Sequence, residues 1–545
     1  MKKSTKSRKK TNKPSPQKLS PISNQSTWKT YLPLLLLLIC FVAVYSYIFD
    51  SKVSLNGDNA SYYLLGKSLS KGLGYNLYND IWERPHGHFP PGYPILLAAA
   101  MIFSKKVVFL KMVNGLFLLA SLILSFQIFK KLGWSWQVAL IGNLFLLMNY
   151  HVIGFSTVLM SEVPFLFFSL LSFYWLLKID IQNFRWHSKS YLYFLFSLSF
   201  AFHIRTIGVA LLAGTILYLL IERKWKIAGI TFSGFVLLAI PWVLRGKLLG
   251  LSSSYNSVLF QVNTYRPELG TMGWGDLVTR ITKNAVRYCT SEIPSSIFPF
   301  IEVNYKVSPD AQAWCLGLSL ILLILFGLYK SPKYRMLLFG YLGGTLGILL
   351  LWPEYWFGTR FIVVILPFMM GLILFALSTL LSLIGQRLNL PKAHWLLFLV
   401  LPILSSYIKP YEENKDRDWQ SFPLKRLHLK AKQEHPPRWK NYKLIGEYCK
   451  KNLKNEDIIA CRKPQLFHIF SDRYTASFPS ELDHKAFMDN LVRQKVSYVV
   501  VEQLGFSSTG RYLVPVVQQN PKNFKIVHHL KDPDTYLIKF IPPTN

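Results

Sequence analysis

Long apolar blocks separated by short charged gaps constrain the fold of this chain more than any other feature. Between Tyr31 and Ile408 these blocks run for about 15–23 residues, the length of a helix that crosses a hydrocarbon core of about 30 Å. They lack the polar face that a buried helix of a soluble protein keeps. Only 17% of the 545 residues are charged, so a soluble globular chain is excluded. The sequence predicts a polytopic α-helical membrane protein.

Basic clusters between the blocks predict how the chain is oriented. Residues 1–29 are rich in Lys, Ser and Pro and contain no acidic side chain, which predicts a disordered basic cytoplasmic tail beside membrane lipid. We therefore do not attribute the net charge of +34 to nucleic-acid binding. Threading the chain from this tail predicts about eleven crossings. They are near residues 30–49, 107–129, 135–150, 163–178, 190–203, 207–221, 227–244, 312–329, 336–352, 361–384 and 395–408.

The same threading predicts the domain organisation. A transmembrane domain covers residues 30–408, with long extracytoplasmic loops at 50–106 and 245–311. From residue 409 to 545 the composition becomes that of a soluble domain, which the threading places outside. Helical spacing alternates there with short apolar runs, so we expect a small α/β domain. The predicted helices are at 442–452 and 481–494, and the predicted strands are at 457–461, 497–502, 525–530 and 536–541.

The first polar motif, from Asn56 to Tyr63, directly follows the first predicted span. Its carboxylate, Asp58, has two interpretations. It could cap the helix that follows, because an aspartate at that place accepts hydrogen bonds from free backbone N–H groups. It could also be a general base held at the membrane surface.

The second polar motif, from Trp82 to Pro94, collects Arg84, His86 and His88 beside a proline pair. The apolar stretch at 95–103 that follows is short for a span and predicts a re-entrant or surface helix. The two histidines could contribute to a metal site, but two ligands do not make one. They could equally be solvated loop residues.

Three further charged residues lie at predicted outer ends of spans. Glu162 begins a span, where it could be functional or could cap the helix together with Ser161. Arg205 and Arg360 each interrupt the apolar pattern. Either arginine could extend towards lipid head groups, or could bind a specific phosphate with its planar guanidinium group.

This set of charges indicates a reaction class. A lipid-linked phosphate donor presents its head group at the outer interface, whereas nucleotide sugars belong to the cytoplasm. Transfer of a sugar from such a donor needs a base for the acceptor hydroxyl, and positive charge from arginine or a divalent metal on the departing phosphate. Displacement in one step inverts the anomeric centre.

The motifs also carry a family resemblance. The segments NGDNASYYLLGKSLSKGLGYN, HFPPGYPILLAAAMIF, STVLMSEVPFLFFSLLSFYWLL and GTRFIVVILPFMMG resemble the GT-C superfamily of membrane glycosyltransferases. The bacterial branch related to protein O-mannosyltransferases and lipid A aminoarabinose transferases is the most similar. The resemblance implies a polyprenyl-phosphate sugar donor, inverting transfer outside the cytoplasm and a bacterial plasma membrane.

The resemblance also implies roles for individual residues. Asp58 matches the catalytic aspartate of the first loop, and Glu162 matches a second acidic position. Relatives in the aminoarabinose group carry a lysine directly before the proline pair, where this chain has Phe89. Arg84, His86 or His88 is therefore expected to take over the phosphate contact, together with Arg205 and Arg360. A metal held by Asp58, Glu162, His86 and His88 stays open.

We carry three hypotheses from the sequence. The first is a GT-C glycosyltransferase acting on a lipid, glycan or protein acceptor. The second is a transporter or flippase for a lipid-linked glycan, which would need charges buried in the middle of spans. The third is a non-catalytic membrane protein whose outer domain binds partners, which would leave Asp58, Glu162 and Arg360 far apart.

Overall fold

A computed structural model describes residues 28–49, 53–55, 57–251, 258–263, 266–390, 393–408, 436–506 and 508–543. Nearly all of the predicted basic tail, at 1–27, and the start of the predicted outer domain, at 409–435, lie outside the described residues. Helices dominate the described residues up to 408, and a five-stranded sheet lies beyond them.

Each predicted span coincides with an apolar helix. Five of these helices are long and apolar enough to cross a membrane, and a pair bent by 66° at Asn149 makes a sixth. The others are shorter, so the count of eleven crossings stays a prediction. The helices up to residue 408 are α1 (Trp28–Ile48), α2 (Gly57–Ser70), α3 (Gly92–Met101), α4 (Val107–Lys131), α5 (Trp136–Met148), α6 (Tyr150–Ser156), α7 (Glu162–Leu176), α8 (Lys189–Ile204), α9 (Val209–Ile221), α10 (Trp225–Leu248), α11 (Trp274–Arg287), α12 (Ile293–Ile297), α13 (Ala311–Lys330), α14 (Arg335–Leu351), α15 (Leu366–Arg387) and a 3-10 helix at Ala393–Ile408.

Two pairs of helices approach each other closely at a glycine residue. The start of α3 lies on the end of α8, because a Cβ atom on Gly92 would be 2.7 Å from the carbonyl of His203. Helices α9 and α14 are equally close, since a Cβ atom on Gly214 would be 2.6 Å from the backbone nitrogen of Tyr341. Only glycine permits such contacts. The first contact places the segment just after α8, which carries Arg205, beside the start of α3, and the second packs α9 against α14.

The C-terminal part is a mixed α/β domain, as predicted. Strand β1 is parallel to both β2 and β3, whereas β5 is antiparallel to β3 and β4, and the order is β2-β1-β3-β5-β4. Helices connect the parallel strands, as such crossovers require. The sequence pattern missed β2, which has only three residues. The elements are α16 (Pro437–Asn452), β1 (Ile458–Ala460), α17 (Pro464–Ser471), β2 (Tyr474–Ala476), α18 (His484–Arg493), β3 (Val496–Val501), α19 (Val514–Gln519), β4 (Phe524–Leu530) and β5 (Thr535–Phe540).

The α/β domain docks on the segment that joins α1 to α3. The side-chain amide of Asn79 donates to the carbonyl and the hydroxyl of Thr475, at 3.2 and 2.9 Å. The backbone carbonyl of Asn79 accepts a hydrogen bond from the Thr475 backbone nitrogen at 3.1 Å. Ala60 of α2 belongs to the same apolar cluster as Tyr442 and Ile459. Helix α2 therefore packs against the domain from the side of the membrane part.

Candidate active site

Asp58 is the second residue of α2, which begins at Gly57. It therefore lies inside the first turn rather than at the N-cap position, and a negative charge is favoured there. Its side chain is 35% exposed, and Oδ2 lies 2.8 Å from Nη1 of Arg360. The carboxylate is thus both oriented by a cation and open to a substrate.

Glu162 is the first residue of α7, and its side chain is completely buried. Its Oε1 atom accepts a hydrogen bond from Nη1 of Arg205 at 2.7 Å and another from Nε of Arg360. A buried carboxylate is tolerated only when it is paired in this way. Ser161 does not cap α7; its hydroxyl accepts from Arg205 and pairs with the Tyr62 hydroxyl at 3.0 Å.

Arg360 links the two carboxylates. It lies in a 3-10 turn, Thr359–Phe361, between α14 and α15. Burial alone would lower the pKa of Arg360, but the Glu162 and Asp58 carboxylates raise it well above its ordinary value. The guanidinium group is therefore a permanent cation, and it fixes the separation between an open and a buried carboxylate.

Asn114 of α4 holds the segment that leads into Glu162. Its amide nitrogen donates to the carbonyls of Val158 and Met160, at 2.7 and 3.3 Å. Its amide oxygen accepts from the Tyr93 hydroxyl at 3.2 Å. The residues that lead into Glu162 are thus tied to the second polar motif, which contains Tyr93, through one buried side chain.

The loop that carries Arg360 is clamped by an ion pair that the sequence analysis missed. Glu292 accepts hydrogen bonds from the Gly358 backbone at 3.0 Å and from Arg287, whose Nε is 2.9 Å from Oε1. Arg287 also donates to the carbonyl of Glu354 at 2.5 Å. Burial raises the pKa of Glu292, although Arg287 opposes this. The pair spans a π-helical turn, whose spacing an α-helical pattern does not anticipate.

Two predicted phosphate contacts lie elsewhere. Arg84 pairs with Asp80 at 2.6 Å, and the described residues show no contact between it and Asp58 or Glu162. Nε2 of His86 accepts from the Phe89 backbone at 3.0 Å. Burial, with help from His88 and Arg245, lowers the pKa of His86 to about 3, so this imidazole is neutral. The structure thus pairs Arg84 with Asp80 and leaves His86 neutral, and a contact of either residue with a donor phosphate stays a prediction.

His88 lies near Asp58 but is also neutral. Burial lowers the pKa of His88, and the Asp58 carboxylate offsets this only in part. No three His, Cys, Asp or Glu side chains of the described residues gather closely enough to hold a metal ion. A divalent metal therefore stays a prediction.

A second residue that the sequence analysis missed comes from the α/β domain. Nζ of Lys463 would lie 3.2 Å from a Cβ atom on Gly57, the neighbour of Asp58. Lys463 directly precedes α17, and α17 packs on α2. A lysine so far along the chain carries no local signal that links it to the first loop.

The whole chain has a known relative in fold. It is similar to ArnT from Cupriavidus metallidurans bound to undecaprenyl phosphate, with a TM-score of 0.55 and 11% identity over 95% of this chain and 98% of that one. The apo state of the same protein gives a TM-score of 0.56 and 11% identity over 93% and 98%. Among curated protein sequences, none matches this chain.

The protein has the GT-C fold of membrane glycosyltransferases, with a small sheet domain at its C-terminal end. Residues 77–249 match the family of dolichyl-phosphate-mannose-protein mannosyltransferases. These findings confirm the fold class and the resemblance to the GT-C superfamily. The matched segment contains Glu162 and Arg205 and begins after Asp58.

Proposed function

We propose that this protein is an inverting glycosyltransferase that moves a sugar from a polyprenyl-phosphate donor to an acceptor hydroxyl. The observation that carries the proposal is the convergence of Asp58, Glu162, Arg205 and Arg360 in one hydrogen-bonded group. The four charges come from four separate segments of the chain, and such clusters of paired charges are frequent at functional sites. Undecaprenyl phosphate bound to ArnT supports the donor class.

In this proposal Asp58 is the general base. Its carboxylate accepts the proton of the acceptor hydroxyl while the acceptor oxygen bonds to the anomeric carbon. The bond between that carbon and the donor phosphate oxygen breaks in the same step, and the configuration inverts. The lipid phosphate departs with the electron pair. Arg360 holds Asp58 in place for the proton transfer.

Glu162 has a different part. It is completely buried and cannot touch an acceptor, so we assign it as a positioning residue rather than as a second base. It anchors Arg205 and Arg360, which keep further N–H groups for the growing charge on the departing phosphate. A divalent metal on that phosphate is a separate proposal, and removal of metal by EDTA tests it.

The charge pattern of the sequence supports the extracytoplasmic face of a bacterial plasma membrane as the location of the site. The rival hypotheses have less support. A lipid-linked glycan transporter would line a mid-membrane path with charges, whereas these four residues lie at helix ends. The third hypothesis expected Asp58, Glu162 and Arg360 to lie far apart, whereas Arg360 contacts both carboxylates.

The decisive experiment compares lipids and glycans by mass spectrometry from cells with the wild-type gene, without it, and with Asp58→Asn. The Asp58→Asn cells should match those without the gene, although the variant protein still folds and inserts. Asp80→Asn is the matched control, since Asp80 lies in the same predicted outer segment and contacts Arg84 and the Trp82 backbone nitrogen rather than the proposed site. Wild-type products from the Asp58→Asn cells would overturn the assignment of the base.

A further inference from the structure

The charges around Asp58 leave one cation without a counter-charge. Asp58 and Glu162 are balanced by Arg205 and Arg360. Nζ of Lys463, beside Gly57, has no carboxylate within 4.0 Å and no hydrogen bond among the described residues. The site as a whole therefore carries one positive charge more than negative charges.

The surroundings of Lys463 add to this excess. Its ammonium group lies 4.8 Å from the centre of the Phe506 ring, and the Arg462 guanidinium lies 4.7 Å from the same ring. Nε of Arg462 is buried without a hydrogen-bond partner. Burial and the neighbouring arginine both lower the pKa of Lys463, while the carboxylates of Asp58 and Glu502, neither in direct contact with it, oppose them.

Two adjacent cations that are partly removed from water, with the Lys463 ammonium and the Arg462 Nε lacking hydrogen-bond partners in the described part of the chain, are costly to maintain. An arriving anion removes that cost, because it supplies the missing counter-charge and hydrogen-bond acceptors. Solvated lysines on a protein surface do not have this property. The arrangement is therefore that of an anion site which faces the carboxylate proposed as base.

We propose that Lys463, supplied by the α/β domain, binds the phosphate of the lipid-linked donor. This rests on the proposed function and extends it, because it makes the C-terminal domain part of the donor site. The donor phosphate is the favoured anion, since its charge increases as the sugar leaves and a fixed cation there stabilises the transition state. An anionic acceptor has similar chemistry and is distinguished by the experiment.

The experiment measures binding of undecaprenyl phosphate to the full-length protein in detergent, with undecaprenol as the uncharged reference. Lys463→Met removes the charge and keeps the aliphatic stem. It should weaken binding of the phosphate roughly tenfold or more, the value of a hydrogen bond to a charged group. Binding of undecaprenol should be unchanged. Lys463→Arg should restore affinity to within about threefold of wild type, by the same charge argument.

Lys522→Met is the matched control, because Lys522 is exposed on the same domain and lies outside the site. Equal affinity of wild type and Lys463→Met for undecaprenyl phosphate would overturn the proposal. If the substitution then raised only the KM for the acceptor, Lys463 would bind an anionic acceptor instead of the donor phosphate. The assay needs no sugar transfer. Its result is therefore independent of the Asp58→Asn test, and the two proposals can fail separately.

Discussion

Nη1 of Arg360 lies 2.8 Å from Oδ2 of Asp58, and Nε of the same guanidinium group bonds to Glu162. One planar side chain thus sets the distance between the carboxylate proposed as base and the buried carboxylate behind it. Arginine can do this because its N–H groups form a rigid fork. A substitution of Arg360 that keeps the positive charge but removes the forked guanidinium group should therefore lower catalytic activity more than it lowers the stability of the fold.

Arg360→Lys should lower kcat by about 10²–10³, the cost of losing one preorganised donor. A lysine has a single nitrogen and cannot contact Asp58 and Glu162 in the same way. Steady-state kinetics checks this, with Arg205→Lys as the control, since Arg205 uses one nitrogen for Glu162 and Ser161. We expect Arg205→Lys to retain at least ten times the kcat of Arg360→Lys; equal values would contradict the bridging role.

Glu162→Gln should destabilise the fold, whereas Asp58→Asn should not. Removal of the buried charge leaves two guanidinium groups without their carboxylate, and breaking a buried pair costs about 3–5 kcal/mol. Asp58 is partly exposed, so water can solvate the Arg360 nitrogen that loses its partner in Asp58→Asn. Thermal melting in detergent measures the difference. Similar melting temperatures for the two variants would show that Glu162 is not a structural anchor.

Glu292→Ala should lower activity, although Glu292 acts through the loop that carries Arg360 and not by contact with a substrate. Its carboxylate holds the Gly358 backbone and Arg287, so its loss frees the loop that positions Arg360. We expect a fall in kcat with little change in donor affinity, and a lower melting temperature. Glu354→Ala is the control, because its exposed pair with Lys283 is worth less than about 1 kcal/mol. Unchanged kcat in Glu292→Ala would contradict the clamp.

His86 should make the protein sensitive to acid. Its pKa is about 3 in the folded chain and 6.5 ordinarily, so below pH 6.5 the unfolded chain binds the proton first. The free energy of unfolding should then fall by up to about 1.4 kcal/mol per pH unit between pH 6.5 and 3. Above pH 6.5 this effect is absent.

His86→Gln keeps an acceptor for the Phe89 backbone and cannot titrate. Its melting temperature should fall less between pH 7 and pH 5 than that of the wild type. His187→Gln, at an exposed position, should behave as wild type. An equal acid response in wild type and His86→Gln would exclude His86 as the source.

The sequence was informative wherever a local pattern carried the signal. Apolar blocks predicted the helices of the membrane part, and short apolar runs predicted four of the five strands. The charged residues at span ends predicted Asp58, Glu162, Arg205 and Arg360, which the structure brings together. For Arg84 and His86 the local pattern gave proximity along the chain, but it could not show that Arg84 pairs with Asp80 or that His86 is buried.

Two parts of the candidate site could not be predicted from the sequence. The Arg287–Glu292 pair depends on a π-helical turn, and Lys463 depends on how a separate domain docks. Such contacts join residues that are distant in sequence, and neither residue type nor spacing encodes them locally. Relative placement of domains is settled by contacts such as Asn79 with Thr475, which only the assembled chain shows.

Because the α/β domain docks on α2, the residues of the proposed site are translated at widely separated stages of biosynthesis. Asp58 leaves the ribosome early, Arg360 follows after most of the membrane helices, and Lys463 comes close to the end. A chain released before residue 360 holds both carboxylates without the arginine that joins them. The proposed site is therefore complete only when translation has passed Lys463, and a chain that ends before Arg360 lacks both of these cations.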